Sequence, residues 1–409
     1  MEKYLYTKFD IRKLGIIDEN AKNILTTSPP YYLFRENSEG TAENIRNKVI
    51  FFGSNFKVRP FPKDEKGCIE IYNKCLDFIR QECADCKLYY KPHPTSPDND
   101  EKIYNLDSFE IIKERTIAEI FFYENFNQIK YVFSLDSTTS LIAYSSGLNA
   151  YALYKIFKEP LGEVSYAYNK NFFEGMPEQF FISDLSQPLK ENKISLKKDI
   201  LFENNLKEQL DKNRGTIWFT AVDPGFLLLM FSLSKLIKKL SPNRRIGLLI
   251  MRHGRWNSID MEKVTKHFDN LVFFPKVTYT LKPANLLNSL KTAITVKRFK
   301  IAPKDIIFGI GIGTFLENCL ISYYKNNLCI GITTDQIFNF THHFENNPDP
   351  SDFEAKWAVL FFNNVIEPFF GLHKGIRLRR PSRKNGGQFT RYRDAVTKIF
   401  DLVYVFKYK

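Results

Sequence analysis

Short apolar runs alternate with segments of helical periodicity along most of this 409-residue chain, and this alternation limits its fold more than any other feature. In the first half, helical spacing is found at 69–83, at 117–127 and in a segment that runs through Ser146. The predicted strands of this half are residues 48–52, 87–90, 110–112, 131–135 and 150–154. Strands and helices that alternate at this spacing predict a parallel sheet with helices on both faces.

The same alternation returns after a polar, charge-dense segment at 186–214. Helices are predicted at 226–240 and 315–324, and strands at 216–221, 245–251, 271–274, 305–310 and 328–333. A chain of this length exceeds the usual size of one hydrophobic core. We therefore predict an α/β protein of two Rossmann-like domains, with residues 1–185 in the first, 186–214 as a linker and 215–409 in the second.

A run of hydroxyl side chains stands where a strand of the first half turns into a helix. Ser137, Thr138 and Thr139 occupy this turn in the stretch FSLDSTTSLIAYSSG. Unpaired amides and the positive end of the helix dipole face outward at such a turn, which makes it an anion site. The same hydroxyls could simply cap the helix, and the two interpretations are compatible because both use the same amides.

A second polar turn follows the strand of the stretch YYKPHPTS. His93 can supply a donor or a proton from this neighbouring strand, and Pro94 stiffens the turn by fixing φ. The alternative is a loop histidine packed against the edge of the sheet. Because Pro92 and Pro94 flank His93 and a hydroxyl turn follows downstream, we expect phosphate binding.

Acidic and imidazole side chains follow the strands of the second half. Asp223 comes two residues after the first of these strands, His253 two residues after the second and Asp335 two residues after the last. Asp223 could be only a helix cap, with Pro224 at the first helical position, and His253 could be a satisfied loop histidine. Glu317 is three residues after Thr314, which predicts a capping box.

The stretch KPHP, followed about 40 residues later by a strand and a hydroxyl turn, resembles the HP and S motifs of bacterial glycosyltransferases of GT-B architecture. Members of these families use CMP-activated ulosonic acids. The resemblance implies a GT-B-like arrangement of the two domains. It also implies that the CMP moiety is held by Lys91, His93, Pro94, Ser137, Thr138 and Thr139.

The domain order departs from most of those families, since the candidate CMP-binding domain comes first. This order resembles the retaining β-Kdo transferases of lipopolysaccharide O-antigen synthesis. In that group an Asp of the acceptor domain is the nucleophile, which the resemblance carries to Asp223, with His253 on the adjacent strand. The acidic D/E-D/E-G triad of many sialyltransferases is missing, and Asp335 lies where such a motif would fall.

The expected function is transfer of Kdo from CMP-Kdo to a lipopolysaccharide O-antigen or capsule acceptor. CMP-Kdo is the donor substrate, and we expect neither a cofactor nor a metal ion. Retention through an Asp–glycosyl adduct is the expected mechanism. An inverting sialyltransferase-like enzyme, with Asp223 or Asp335 as the base, is the alternative. Asp98 and Asp100 form a DxD pattern in a polar loop, which we attribute to chance.

Most of the formal charge of +13 belongs to the C-terminal tail. Residues 374–409 contain eleven Lys or Arg and two Asp, a net charge of +9, with aromatic residues between them. Such a tail could lie on an anionic membrane, bind nucleic acid, or form a basic and partly packed terminal helix. Because no nucleic-acid-binding module is recognisable, nucleic acid is the least favoured of the three.

Hydropathy and the use of cysteine indicate the cellular compartment in which the protein is expected. The first residues lack an apolar core of signal-peptide length, and no run reaches the ~18 apolar residues of a spanning helix. Cys83 and Cys86 have the spacing of a zinc or redox pair, but no second pair follows, so we expect reduced structural thiols. The expected location is the cytoplasm, with peripheral contact with the inner membrane.

Overall fold

The computed structural model places most of the chain in two compact units. The first unit comprises residues 29–198 with 408–409, and the second comprises residues 1–28 with 199–407. The residues that the structure describes are 24–36, 46–56, 61–93, 100–112, 117–192, 194, 196, 198–221, 224–252, 254–277, 281–310, 314–334, 361–372 and 400–408.

The strands of the described residues form two sheets. In chain order they are β1 (Ile24–Thr27), β2 (Lys48–Phe52), β3 (Lys87–Lys91), β4 (Phe109–Ile111), β5 (Ile129–Ser134), β6 (Asn149–Ala152), β7 (Ile217–Ala221), β8 (Ile246–Met251), β9 (Asn270–Phe274), β10 (Ile306–Ile310), β11 (Leu328–Thr334) and β12 (Leu402–Phe406). Every strand pairs in parallel with its neighbours. The prediction of parallel sheets is therefore confirmed.

Helices connect these strands within the described ranges. In chain order they are α1 (Leu33–Glu36), α2 (Glu65–Glu82), α3 (Asp100–Ile103), α4 (Ala118–Asn125), α5 (Thr138–Ser145), α6 (Lys158–Phe172), α7 (Ile200–Lys212), α8 (Leu227–Leu240), α9 (Met261–Thr265), α10 (Pro283–Arg298), α11 (Phe315–Tyr323) and α12 (Glu367–Phe369). A π-helical turn at Phe362–Ile366 leads into α12. None of the helices in these ranges is long and apolar enough to cross a bilayer.

The sheet of the first unit has the order β4-β3-β2-β5-β6. With β2 counted as the first strand, this is the order 3-2-1-4-5 of Rossmann-like domains. The chain builds outward from β2 in one direction through β4, and then from β5 in the other direction. The point of reversal lies between β2 and β5, and ligands of such sheets bind beyond the carboxyl ends of the strands at this point.

A row of aromatic side chains crosses the first sheet at one register. Tyr90, Phe51, Phe133 and Tyr151 are successive partners on β3, β2, β5 and β6. All four are buried, and the ring of Tyr72 from α2 packs edge-on against Phe51 at 5.0 Å between centroids. This row lies one residue before the carboxyl ends of β2, β3 and β5. It therefore packs the sheet just before the residues that follow those ends.

The sheet of the second unit has the order β1-β12-β11-β10-β7-β8-β9. Counted from β7, this is the order 3-2-1-4-5-6, with β1 added at the edge. Its point of reversal lies between β7 and β10. The second sheet therefore repeats the arrangement of the first, with a second crevice at the carboxyl ends of its central strands.

Both faces of the second sheet are buried under helices. On one face, Trp218 and Val403 belong to an apolar cluster with residues of α10 and α11. On the other face, Phe219 stacks on Phe308 at 4.9 Å, and Tyr404 packs edge-on against Phe202 of α7 at 4.9 Å. Continuous apolar strands such as Ile217–Ala221 are typical of parallel sheets covered on both sides.

Three predictions about the chain's segmentation differ from the structure. The predicted linker contains α7, which contributes buried Phe202, Leu206 and Leu210 to the second unit. Strand β1, from the segment assigned to the first domain, pairs with β12 of the second unit. The terminal segment is not a helix over residues 402–406, because its alternating apolar residues insert between β1 and β11 as β12. Residues 373–399 of the predicted tail lie outside the described residues.

Candidate functional site

The point of reversal in the first sheet carries a cluster of small polar residues. Gly53 and Ser54 follow β2, while Ser134 ends β5 and Ser137 begins the turn into α5. Phe52 of β2 and Ser134 of β5 are direct register partners, so these two strand ends are adjacent. Sequence analysis predicted the hydroxyl turn after β5, and the strand order makes this the crevice of the first unit.

The hydroxyl turn before α5 is held by its own hydrogen bonds. The Ser137 hydroxyl accepts a hydrogen bond from the Thr139 amide at 3.2 Å, so Ser137 is the N-cap of α5. The Ser137 amide donates to the Ser134 hydroxyl at 3.2 Å, and the Ser134 hydroxyl donates to Ser140 Oγ at 2.9 Å. Ser140 Oγ in turn donates to the Ser137 carbonyl at 2.7 Å. These bonds fix the turn before any ligand binds.

Two hydrogen-bonding groups of this turn have no partner among the described residues. The Thr139 hydroxyl is buried without one. The backbone N–H of Thr138, the first residue of α5, likewise meets no acceptor within the described part of the chain. A buried hydroxyl and an amino-terminal amide without partners are groups that an anionic ligand can satisfy. Capping by Ser137 and anion binding by Thr138 are therefore compatible.

A carboxyl group that the sequence analysis did not single out also lies at this crevice. The Ser54 hydroxyl donates a hydrogen bond to Asp136 Oδ1 at 2.7 Å, which joins the turn after β2 to the turn after β5. Burial raises the pKa of Asp136, and the hydrogen bond from Ser54 opposes this shift. Asp136 stands one residue before Ser137, and its place after a predicted strand end was the signal available from the sequence.

Two buried tyrosines connect the crevice to α3. The Ser54 amide donates to the Tyr72 hydroxyl at 3.3 Å, which lies 3.4 Å from the Tyr90 hydroxyl. The Tyr90 hydroxyl donates to Asp100 Oδ2 at 2.9 Å. Asp100 is 6% exposed, and its carboxylate accepts this hydrogen bond in a buried position. Asp98 lies outside the described residues.

Gly53 is required by a close approach of the sheet to this turn. A Cβ atom at residue 53 would lie 2.8 Å from the Tyr90 ring carbon Cζ and closer still to the Tyr90 hydroxyl. The Gly53 amide also donates to the Lys91 carbonyl at 2.9 Å. A larger residue would therefore push β3 away from the crevice.

The predicted contribution of Lys91 and His93 needs correction. Lys91 is buried at the end of β3, and His93 is half-buried two residues later. His93 does not come from the strand next to the hydroxyl turn, because β2 lies between β3 and β5. Adjacent strands are about 4.8 Å apart, so the β3 and β5 axes are separated by roughly 10 Å. A ligand held by both ends must therefore span β2. Pro94 lies outside the described residues.

The second unit carries a buried carboxylate at its own point of reversal. The Thr220 hydroxyl of β7 donates to Glu317 Oε1 of α11 at 2.7 Å, and the Thr314 amide donates to Glu317 Oε2 at 3.3 Å. The predicted capping box between Thr314 and Glu317 is confirmed. Glu317 is 1% exposed and thus joins β7 to the start of α11.

The three catalytic candidates of the second half lie outside the described residues. Strands β7, β8 and β11 end at Ala221, Met251 and Thr334. Asp223 and His253 therefore each follow the end of a strand by two residues, and Asp335 follows by one. Their assignment rests on these positions in the sequence, because residues that follow the strands of a parallel sheet are the ones that bind its ligands.

The thiols of the CxxC pair lie at the end of α2 and before β3. Burial raises the pKa of Cys83 to about 12, with a further rise from Cys86. A thiol with such a pKa is protonated at neutral pH and is a poor nucleophile. Within the described ranges, no group of three or more His, Cys, Asp or Glu side chains is arranged to hold a metal ion.

The chain was compared with protein families, curated proteins and solved structures. No family model, no curated protein and no solved structure matches the chain. The functional interpretation therefore rests on the residues of the chain and on the geometry of the two sheets.

Proposed function

We propose that this protein is a glycosyltransferase that moves Kdo, or a related ulosonic acid, from its CMP donor to a lipopolysaccharide O-antigen or capsule acceptor. The observation that carries the proposal is the hydroxyl turn of α5 at the point of reversal in the first sheet. Its preformed hydrogen bonds, the Thr138 amide without an acceptor among the described residues, and the buried Thr139 hydroxyl suit a phosphate monoester.

The donor nucleotide is proposed to lie across the ends of β5, β2 and β3. Ser137, Thr138 and Thr139 hold the phosphate of CMP at the amino end of α5. His93 and Lys91 serve the far side of the same ligand, since one strand separates them from the turn. Hydroxyls, amides and an imidazole would together offset the charge that develops on the departing phosphate.

The second unit is proposed to supply the carboxylate, in a GT-B-like arrangement with the donor-binding unit first. The Asp223 carboxylate attacks the anomeric carbon, and the bond from that carbon to the CMP phosphate breaks, which releases CMP. The acceptor hydroxyl then attacks the same carbon, displaces Asp223 and gives its proton to His253 or Asp335. Two displacements at one carbon preserve its configuration.

Intact-mass spectrometry tests this function most simply. Without an acceptor, mixing the protein with CMP-Kdo should give a covalent Kdo adduct, and an Asp223→Ala variant should give none. A parallel sample with CMP-sialic acid distinguishes the two donor classes. If CMP-Kdo leaves the protein mass unchanged and no CMP is released with any acceptor, the proposed function is wrong.

A further inference from the structure

Helix α10 of the second unit presents three large apolar side chains to solvent. Leu287 is 50% exposed, and Leu290 and Ile294 are each 40% exposed. These residues are spaced i, i+3 and i+7, so they form one stripe along the helix. The buried face of α10 consists instead of small residues, Ser289, Thr292, Ala293 and Val296. This pattern is the reverse of an ordinary amphipathic helix of a globular protein.

The buried small residues explain how α10 packs against α11. They do not explain why large apolar side chains lie on its exposed face. Ala293 and Val296 join the apolar cluster that also includes Leu316 and Cys319 of α11. Small side chains let the two helices approach closely, and the half-buried Leu286 is the leucine of α10 that packs against this cluster. Exposing three large apolar side chains to water is unfavourable, and a contiguous patch of this kind marks an interaction surface.

The segment around this stripe is basic and contains no acidic residue. Between residues 276 and 304 there are seven Lys or Arg and neither Asp nor Glu. On α10 itself, Lys291 and Arg298 are spaced four and eleven residues from Leu287, which places them on the exposed face beside the stripe. The remaining members of the set, also exposed, are Lys276, Lys282, Lys297, Lys300 and Lys304.

An exposed aromatic residue, Phe369, extends the surface beyond the end of α10. Lys297 Nζ lies 6.0 Å from the centre of the Tyr323 ring, and the Tyr323 hydroxyl donates to the Phe370 carbonyl at 3.2 Å. Phe369, next to Phe370, is 78% exposed. Exposed apolar side chains are thus found on both α10 and α12, with Lys297 and Tyr323 between them.

We propose that the outer face of α10 is a docking surface for an anionic lipid bilayer. A helix with leucine and isoleucine on one stripe and lysine or arginine beside it lies in the plane of a membrane interface, with its apolar side chains among the acyl chains and its cations at the headgroups. This surface is distinct from the basic C-terminal tail. It does not depend on which donor the first unit binds.

Charge argues for a bilayer rather than a second copy of this chain. A two-fold interface would set the same patch on both partners face to face. Seven cations on each side, with no acidic residue in the segment, would then repel one another. An anionic membrane surface complements both the charge and the apolar stripe.

Co-sedimentation of the full-length protein with vesicles tests the proposal. We expect binding to vesicles of phosphatidylcholine and phosphatidylglycerol, and little binding to phosphatidylcholine alone. Replacing Leu287, Leu290 and Ile294 together by Ser should weaken binding by about ten-fold or more. The matched control replaces the exposed Ile200 and Leu201 of α7 by Ser and should bind as the wild type does.

A second variant measures the contribution of the basic residues to vesicle binding separately from that of the apolar stripe. Replacing Lys291, Lys297 and Arg298 by Ala should lower affinity by about five-fold for each cation, or roughly 100-fold in total. A control with Lys207→Ala, Lys212→Ala and Arg214→Ala loses the same charge from α7 and the residues just after it, and should retain most of the binding. The proposal is overturned if both α10 variants bind like their controls. It is also overturned if the wild type dimerises through this face and ignores vesicles.

Discussion

Asp136 lies at the crevice of the first unit, and its protonation state affects the stability of that unit. Its carboxyl group accepts a hydrogen bond from Ser54 across the two central strand ends. Burial raises its pKa, so the folded chain binds this proton more tightly than the unfolded chain does. A protonated Asp136 would also repel an incoming phosphate less than a charged one would.

The pH dependence of stability tests the state of Asp136. A proton held more tightly in the folded state stabilises the protein fully below the unfolded pKa, and this contribution is lost as the pH rises through the folded pKa. Asp136→Asn keeps an acceptor for Ser54 but carries no charge. We therefore expect its melting temperature to exceed that of the wild type at neutral pH, and the difference to shrink towards pH 4.

Asp184 supplies a control of the opposite sign. A hydrogen bond from the Ser186 amide lowers the pKa of this exposed carboxyl group. Its contribution to stability is therefore present above the unfolded pKa and is lost as the pH falls. Asp184→Asn should not raise the melting temperature at neutral pH. Circular dichroism melts from pH 4 to 8 would contradict the account if both variants behaved alike.

The apolar pattern of the sequence predicted the central strands well, because these strands are buried on both faces. It also predicted helices that begin with a capping residue, such as α11. Strand β2, for example, was predicted with the bounds that the structure has. Helix α6 was missed because Gly162, with φ of +71°, breaks its periodicity. Helix α10 was missed because its large apolar residues face solvent. Strand β12 was missed because the surrounding basic residues suggested a basic, partly packed terminal helix.

The partners of β12 came from parts of the chain that no local pattern connects. Strand β1 is nearly 400 residues away in sequence, and its pairing depends on how the whole second unit closes. In the same way, the insertion of β2 between β3 and β5 could not be seen in the spacing of the motifs. Sequence reasoning thus found the polar turns but misjudged which were neighbours.

Truncation of Tyr404 tests the role of β12 in the second unit. Tyr404 is fully buried, packs edge-on against Phe202 and donates to Asn205 Oδ1 at 2.9 Å. We expect Tyr404→Ala to lower the free energy of unfolding of this unit by about 3–5 kcal/mol. Leu201→Ala removes an apolar side chain that is 56% exposed and should cost less than about 0.5 kcal/mol. Equal urea midpoints for the two variants would contradict a structural role for β12.

The molecule as a whole consists of two units with the same central strand order and different polar groups at the point of reversal. The first has hydroxyls and a helix amino end, which suit an anion. The second has Thr220 and Glu317, and the chain continues from β7 to Asp223. This difference supports a division of labour in which the first unit binds the donor nucleotide and the second provides the carboxylate.

Calorimetric titration of CMP into the full-length protein tests this division most directly. Wild type should bind CMP, and a double variant, Ser137→Ala with Thr139→Ala, should bind it at least about ten-fold more weakly, because the cap that fixes the turn and the hydroxyl proposed to meet the charged phosphate are both lost. Thr314→Ala removes the corresponding cap in the second unit and should leave CMP affinity unchanged. Failure of wild type to bind CMP, or equal affinities for the double variant and wild type, would contradict the assignment of the nucleotide to the first unit.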